Sequence, residues 1–377
     1  MRGLIIASAL VLSLSPALSP AAPLPLAESG KPVDVVLCLD TSNSMDGLID
    51  SAKRKLWTIV NDLAKIEPAP TLRVALYSYG NDHYDTKAGW VRKELDLTTD
   101  LDEVYKKLYA LTTKGGTEFV ARVSRDAMAG LKWSDDKDAL RIIFVCGNEP
   151  ANQDKEVTLD SVAAEAKAKG ILINTIYCGS PSHQEAEGWR QFASQAGGKY
   201  ANIDQDRAEV AIKTPFDDEI IKLGTEINKT YCWYGACGTA AAANQVAQDK
   251  NAEKVSKEVA ADRGATKATR FYCNAQADLI DRMLTDKEFD LKKIKDEDLP
   301  EEMKKLKPEE REAYLKKKAA ERTEIQKKVT ELTAKRAKFI ADERKKEPKS
   351  AADKAFDEAL SVILKEQASA KGMKVKE

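Results

Sequence analysis

The chain has 377 residues, 43% of them hydrophobic and 32% charged, which is enough for one full core and a second, more highly charged unit. With 60 Lys and Arg against 61 Asp and Glu, the net charge of −1 excludes an overall electrostatic bias toward nucleic acid or an anionic membrane. From residue 291 onward, 25 Lys and Arg face 19 Asp and Glu, a mild excess that fits a solvated helix surface.

Met1-Arg2 gives a short positive start, Leu4 to Leu14 is almost unbroken apolar sequence, and small or helix-breaking residues fill Ser15 to Ala27. That layout predicts a secretory signal peptide over residues 1–27, too short in its apolar part to span a bilayer. Cleavage after Ala17, Ala21 or Ala22 satisfies the small-residue rule equally well. The expected location is periplasmic or secreted, with no membrane span once the leader is removed.

Val33 to Leu39 reads as a buried strand by its β-branched content. Leu48, Ala52, Leu56, Ile59 and Leu63 share one face of a helix that ends before Pro68. Leu72 to Tyr79 is a second strand, closed by Gly80-Asn81-Asp82, and the charged run Val91 to Leu97 predicts an edge strand. A helix over 101–111 follows, and Gly115-Gly116-Thr117 opens another that runs to Leu131. Leu140 to Cys146 is the most apolar strand, Val157 to Lys169 is helical, and Ile171 to Cys178 is again a buried strand. A helix over 189–196 and a short strand over 200–203 complete the alternation.

Strands and helices alternating in this way predict an α/β domain over residues 28–213, with a doubly wound, mostly parallel sheet. Residues 214–290 read as a helical, cysteine-bearing segment, and residues 291–377 as a charged helical extension. In that extension Ile325, Val329, Leu332, Arg336 and Phe339 repeat at 4-3-4-3 spacing. The seam lasts about two heptads, short of the usual coiled-coil length, so a hairpin packed on the rest of the chain explains it as well.

In doubly wound sheets ligands bind beyond the carboxyl ends of the strands. Asp40-Thr41-Ser42-Asn43-Ser44 follows the first strand directly, and Asp40, Ser42 and Ser44 place oxygen donors at alternating positions. A hard cation wants such donors, whereas helix capping would need one of them.

These residues resemble the metal-ion-dependent adhesion site of the von Willebrand factor type A family, and the resemblance covers residues 33 to about 205. It rests on the D-x-S-x-S loop, on Lys114-Gly115-Gly116-Thr117-Glu118, on Arg73 to Gly80, and on Gly197-Gly198-Lys199-Tyr200. The resemblance implies Thr117 as a further hydroxyl ligand, Mg²⁺ (or Mn²⁺ or Ca²⁺) as the ion, and a carboxylate of a partner protein as the sixth ligand. The third loop departs from the pattern. In Ile143 to Pro150 the natural register puts Gly147 where the family carries Asp. Asn148 or Glu149 is the candidate substitute, directly or through water, and the alternative is a metal held weakly or not at all.

Cys38, Cys146 and Cys178 fall on neighbouring strands and read as small buried hydrophobes. The histidines, His83 and His183, are in loops, and nothing places either beside a thiol as its base. In an exported protein one disulfide is expected among Cys232, Cys237 and Cys273, either Cys232 with Cys237 or one of that pair with Cys273. No phosphate-cradling loop, nucleophile elbow or metalloprotease helix occurs. The expectation is a non-enzymatic, extracytoplasmic protein-binding module. The alternative is a structural or assembly protein with a degenerate metal site, associating through its C-terminal helices.

Overall fold

Val33 to Asp40 are buried without a break, because the strand they form lies at the centre of a sheet covered on both faces. A computed structural model describes residues 30–45, 49, 57, 60–68, 70–203, 212–346 and 356–375. The expected leader and the first-helix positions Leu48, Ala52, Leu56 and Ile59 lie outside the described residues.

The strands are β1 (Pro32–Asp40), β2 (Ile66–Glu67), β3 (Thr71–Tyr79), β4 (Val91–Thr98), β5 (Leu140–Gly147), β6 (Leu172–Cys178), β7 (Tyr200–Ile203) and β8 (Lys374–Val375). Six of them form one sheet in the order β4-β3-β1-β5-β6-β7. All neighbours in it are parallel except β3 and β4, whose antiparallel pairing makes β4 the expected charged edge. The order reverses at β1, so the crevice at its carboxyl end is the topological switch point of the sheet.

Helices α1 (Leu101–Tyr109), α2 (Val120–Gly130), α3 (Leu159–Lys169) and α4 (Glu185–Gln195) alternate with these strands. On one face α2, α3 and α4 bury Val123, Ala163, Trp189 and Phe192 against Val36, Ile143 and Ile173 of the sheet. On the other face Trp57, Val60, Leu63, Val104 and Leu108 pack on Val35, Leu37 and Phe144. The two-sided cover explains why the central strands carry apolar residues at every position.

Beyond the sheet come α5 (Asp217–Asn228), α6 (Gly235–Val255), α7 (Lys257–Lys267), α8 (Leu279–Thr285), the short α9 (Glu301–Lys304), the 39-residue α10 (Pro308–Lys346) and α11 (Phe356–Ala370). Pro308 opens α10 at the first helical position, where a missing N–H costs nothing. The predicted seam of α10 packs within the chain. Val329 is buried with Ile220, Leu223 and Ile227, while Ile325 and Leu332 pack at the edge of the same cluster and Phe339 meets Phe216 edge-on.

The last part of the charged extension returns to the α/β domain. Ile363, Leu364, Ala368 and Met373 join the sheet's core, and Gln367 exchanges two hydrogen bonds with Asn174 of β6 at 3.0 and 2.7 Å. β8 then pairs antiparallel with β2. No helix among the described residues is long and apolar enough to cross a membrane.

The helical part has ionic contacts in its interior. Arg263 of α7 bonds Asp102 of α1 at 2.6 Å and Asp249 of α6 at 2.5 Å. Arg322 of α10 donates to Asp278 and Asp281, both at 2.8 Å, and Arg336 to Asp217 and Asp262, both at 2.6 Å. Removing one side of such a buried pair strands the other. Arg322→Met, which leaves Asp278 and Asp281 without their cation, should therefore destabilise the protein by about 3–5 kcal/mol in urea denaturation. A loss below about 1 kcal/mol would show the pairs to be dispensable.

Candidate metal centre

β1 and β5 run side by side to their carboxyl ends, with Leu39 opposite Cys146, so Asp40 and Gly147 emerge next to each other. The chain turns sharply after Asp40. Thr41 donates from both its amide and its hydroxyl to the carbonyl of Tyr79, at 2.8 and 2.9 Å, and the Ser42 amide donates to Asp40 Oδ1 at 2.8 Å. One turn of 3₁₀ helix over Asn43–Met45 follows. This fold-back puts Ser42 Oγ 3.1 Å from Ser44 Oγ, and the Ser44 hydroxyl donates to Asn148 Oδ1 at 3.1 Å.

Asp40 Oδ2 is buried and accepts no hydrogen bond. A buried carboxylate oxygen without a donor is costly unless a cation takes that place. The oxygens of Asp40, Ser42, Ser44 and Asn148 are hard donors, so the set fits Mg²⁺, Mn²⁺ or Ca²⁺ better than a thiophilic ion. Among the described residues no trio of His, Cys, Asp and Glu gathers around one point, here or elsewhere, so the donors of this centre are mainly hydroxyl and amide oxygens. Ser42 is buried and Ser44 exposed, so the centre opens to solvent on the Ser44 side.

The loop that carries Thr117 is tied to the same turn. Lys114 N donates to the Thr41 carbonyl at 3.0 Å, and Asn81 Nδ2 donates to the carbonyls of Thr41 and Thr112 at 3.3 and 3.0 Å. Asp82 N closes the bundle of loops on Gly115 O at 2.7 Å. The expected second loop is thus held beside the first, with Thr117 half-buried within it.

Gly147 is the last residue of β5, and there is a packing reason why this position bears no carboxylate. A Cβ there would lie 2.6 Å from Tyr79 Oη, 3.0 Å from Trp189 Cη2 and 3.2 Å from Asp40 Oδ2. The Tyr79 hydroxyl donates to the Cys146 carbonyl at 2.8 Å, and Trp189 Nε1 donates to the Glu149 carbonyl at 2.9 Å. Of the two substitutes expected, Asn148 makes the contact with Ser44. Glu149 is exposed, and its charge adds to the field at Asp40.

Glu118 was not anticipated. It is buried beside the centre, where Gln153 Nε2 donates to its Oε2 at 3.0 Å. Its place directly after Thr117 was the available signal. Burial pushes the Asp40 carboxyl up to about 8, and the charges of Glu118 and Glu149 add to the rise against the hydrogen bond from Ser42 N. Burial likewise raises Glu118, opposed by the Gln153 hydrogen bond.

Cys38, Cys146 and Cys178 lie on adjacent β1, β5 and β6, fully buried, and desolvation holds all three thiols well above their ordinary range. The disulfide expected among Cys232, Cys237 and Cys273 is not formed. Cys232 is buried with its sulfur toward the Thr230 carbonyl, whereas exposed Cys237 points at the Gln276 carbonyl 3.4 Å away. The two occupy different environments although four residues separate them. His83 meets Lys114 Nζ at 2.8 Å and His183 meets the Tyr177 hydroxyl at 3.2 Å, so both imidazoles are engaged away from thiols.

Residues 34–215 match the model of the von Willebrand factor type A domain. The mostly parallel sheet with its flanking helices is typical of that domain's fold. Among solved structures it is similar to the SpRpn10 VWA domain, at 18% identity and a TM-score of 0.36 over 46% of this chain and 88% of that one. It is also similar to proximal thread matrix protein 1 from the mussel byssus with a zinc-occupied MIDAS motif, at 11% identity and a TM-score of 0.36, covering 48% and 43% of the two chains. A third is the vWF domain of the type V pili tip protein Mfa5 from Porphyromonas gingivalis, at 18% identity and a TM-score of 0.34, covering 46% and 90%. No curated protein matches the chain.

Two outcomes follow for the α/β domain. Gly147→Asp, the residue that the sequence resemblance implies there, should destabilise the fold by about 1–3 kcal/mol through overpacking, and adding Tyr79→Phe should recover part of that in thermal melts. An unchanged melting temperature would contradict the closed packing. Secondly, a carboxyl whose folded value lies above its unfolded one binds protons on folding, so its contribution to stability is present at low pH and lost as pH rises. In chelator-treated protein the melting temperature should fall between about pH 4 and pH 8 more steeply than in Asp40→Asn, because Asp40 moves from 3.8 to about 8. Parallel pH profiles would exclude Asp40 as the source.

Proposed function

We propose that the protein is a periplasmic or secreted binding module that engages an acidic group of a protein partner through a divalent cation. The cation would be held by Asp40, Ser42, Ser44 and Thr117, with Asn148 in place of the missing aspartate. The observation that carries this reading is the buried, unpartnered Asp40 Oδ2 beside hydroxyl oxygens at the switch point of the sheet. A bound Mg²⁺ or Mn²⁺ supplies Lewis acidity toward an incoming carboxylate. The residues themselves orient it. Thr41 and Asn81 fix the loop, Asn148 holds the Ser44 hydroxyl, and Lys114 with His83 adds a polar, cationic flank to the rim.

The export signature of residues 1–27 supports the compartment. Binding is favoured over catalysis because the buried strand thiols are held protonated and the imidazoles are engaged elsewhere. A second reading, a structural protein with a decayed site, draws on one observation: Gly147 leaves the third loop without its carboxylate.

Mn²⁺ titration by calorimetry decides between them. Binding in the wild type that falls by at least about 100-fold in Asp40→Ala, as expected when the charged ligand of a site is lost, supports the module. Equal binding in the two proteins, or none in either, rejects it.

A further inference from the structure

Eight acidic side chains are buried in the described part of the chain: Asp34, Asp40, Asp102, Glu118, Asp154, Asp217, Asp278 and Asp281. Six of them have an arginine. Asp34 pairs with Arg73, Asp102 with Arg263, Asp154 with Arg122, Asp217 with Arg336, and Asp278 and Asp281 share Arg322. This chain's rule for a buried carboxylate is therefore a guanidinium within hydrogen-bonding distance, as the cost of burying a lone charge requires. Asp40 and Glu118 break the rule: among the described residues neither forms an ion pair.

The two exceptions are neighbours. Asp40 Oδ1 and Glu118 Cγ lie 2.8 and 3.0 Å from the point where a Cβ on Gly80 would stand. Gly80, at φ +74°, is the residue that lets both acids approach from either side. Glu118 is only 7% exposed, and its partners are neutral: the amide of Gln153, in the loop after β5, with a backbone amide and the Ser42 side chain. Asp40 Oδ2, at a residue with no exposure, lies without a donor on the side of the carboxyl that faces Gly147, while Oδ1 is the oxygen on the Gly80 side toward Glu118. Two acids that adjoin each other, with no cation beside them among the described residues and one oxygen without a donor, call for a positive charge.

We propose that Glu118 supplies the second negative charge of the cation site, replacing the carboxylate that the packing at Gly147 excludes. The inference rests on the metal reading above and goes one step beyond it. With Asp40 alone a divalent ion keeps a formal charge of +1, and with Glu118 it is neutralised within the protein. The charge that relatives of this fold would place on the loop after β5 is moved to the loop before α2. Gln153 holds it there from the β5 side. A neutralised centre retains less pull on a partner's carboxylate, so recognition depends more on the Lys114 and His83 flank.

The test uses the full chain, with Mn²⁺ as probe. Calorimetric titration and thermal melts with Mn²⁺ or with chelator compare the wild type, Asp40→Asn and the isosteric Glu118→Gln. Glu118→Gln should weaken Mn²⁺ binding roughly 10- to 100-fold, the range for groups that support a metal from its surroundings. The same variant in chelator should melt no lower than the wild type, because it removes an unpaired buried charge. A purely structural glutamate would give the opposite melt, so the pair of readouts separates the two roles. Affinity within about threefold of the wild type, or a lower melting temperature in chelator, overturns the assignment of Glu118. If the wild type does not bind Mn²⁺, or Asp40→Asn binds it equally, the cation site itself falls and the assignment with it.

Discussion

A carboxylate buried at the end of the central strand is the constraint on which the rest of the site depends. β1 lies between β3 and β5 at the point where strand order reverses, so its last residue is roofed by loops from both sides. Any side chain there is removed from bulk water, and an acid there needs donors or a cation. The Ser42 amide satisfies one oxygen of Asp40 by the local turn, and the second oxygen is left. Thr41, Asn81, Lys114 and Gly115 spend their backbone and side-chain hydrogen bonds in tying three loops around that oxygen. Such a network holds hydroxyls in place before any ion arrives, which lowers the ordering cost of binding.

The same crowding decides which acids can take part. Tyr79 stands behind Gly147 because its hydroxyl caps the Cys146 carbonyl at the end of β5, and Trp189 closes the other side by holding the Glu149 carbonyl. A tyrosine in that place satisfies a strand-end carbonyl and at the same time fills the volume that a side chain on residue 147 would need. The third loop can then offer only what comes after Gly147, and the side chain that reaches Ser44 is the neutral amide of Asn148. Charge has to enter from elsewhere, and the acid that adjoins Asp40 is Glu118, across Gly80.

Much of this was legible in the sequence because the governing patterns are local. The β-branched and apolar runs at 33–39, 72–79, 140–146 and 171–178 became the central strands, and charged Arg92, Lys93 and Glu94 marked β4 as the edge. The D-x-S-x-S spacing announced the turn, and the apolar run before Gly147 announced the strand that ends there. What stayed hidden depends on contacts distant in sequence. Glu118 looks like an ordinary acid at the start of a helix until Asp40 is set beside it by a strand pairing. The closure of residue 147 requires Tyr79 and Trp189, far apart in the chain. The C-terminal segment reads as solvated helix by its charge, and only the face bearing Ile363, Leu364 and Ala368 shows that it belongs to the sheet's core. The cysteine spacing suggested a bridge, but spacing says nothing of burial, and Cys232 turned inward while Cys237 stayed exposed.

The long helix α10 illustrates how one periodicity can serve another end. Its fully buried positions, Leu315, Arg322, Val329 and Arg336, recur every seven residues, the repeat that brings coiled-coil helices together. Two of the four are arginines, and each is taken by carboxylates of this chain: Asp278 and Asp281 for one, Asp217 and Asp262 for the other. A second copy of α10 could reach those arginines only by displacing the acids, leaving charges of both signs buried without partners, which costs several kcal/mol for each broken pair. Alternation of apolar and ionic contacts also fixes the register, since a slip of one turn would set Arg322 and Arg336 against Ile220 or Leu223 in place of their acids. The arginine on α7 extends the same device to the α/β domain through Asp102, and α11 closes the far side of the sheet through Gln367 and Asn174. The helical part is thus fastened to the domain at two places remote in sequence. The helix α1 that carries Asp102 leads directly into the loop of Lys114 and Thr117, so the packing of the helices and the frame of the cation site share one rigid element.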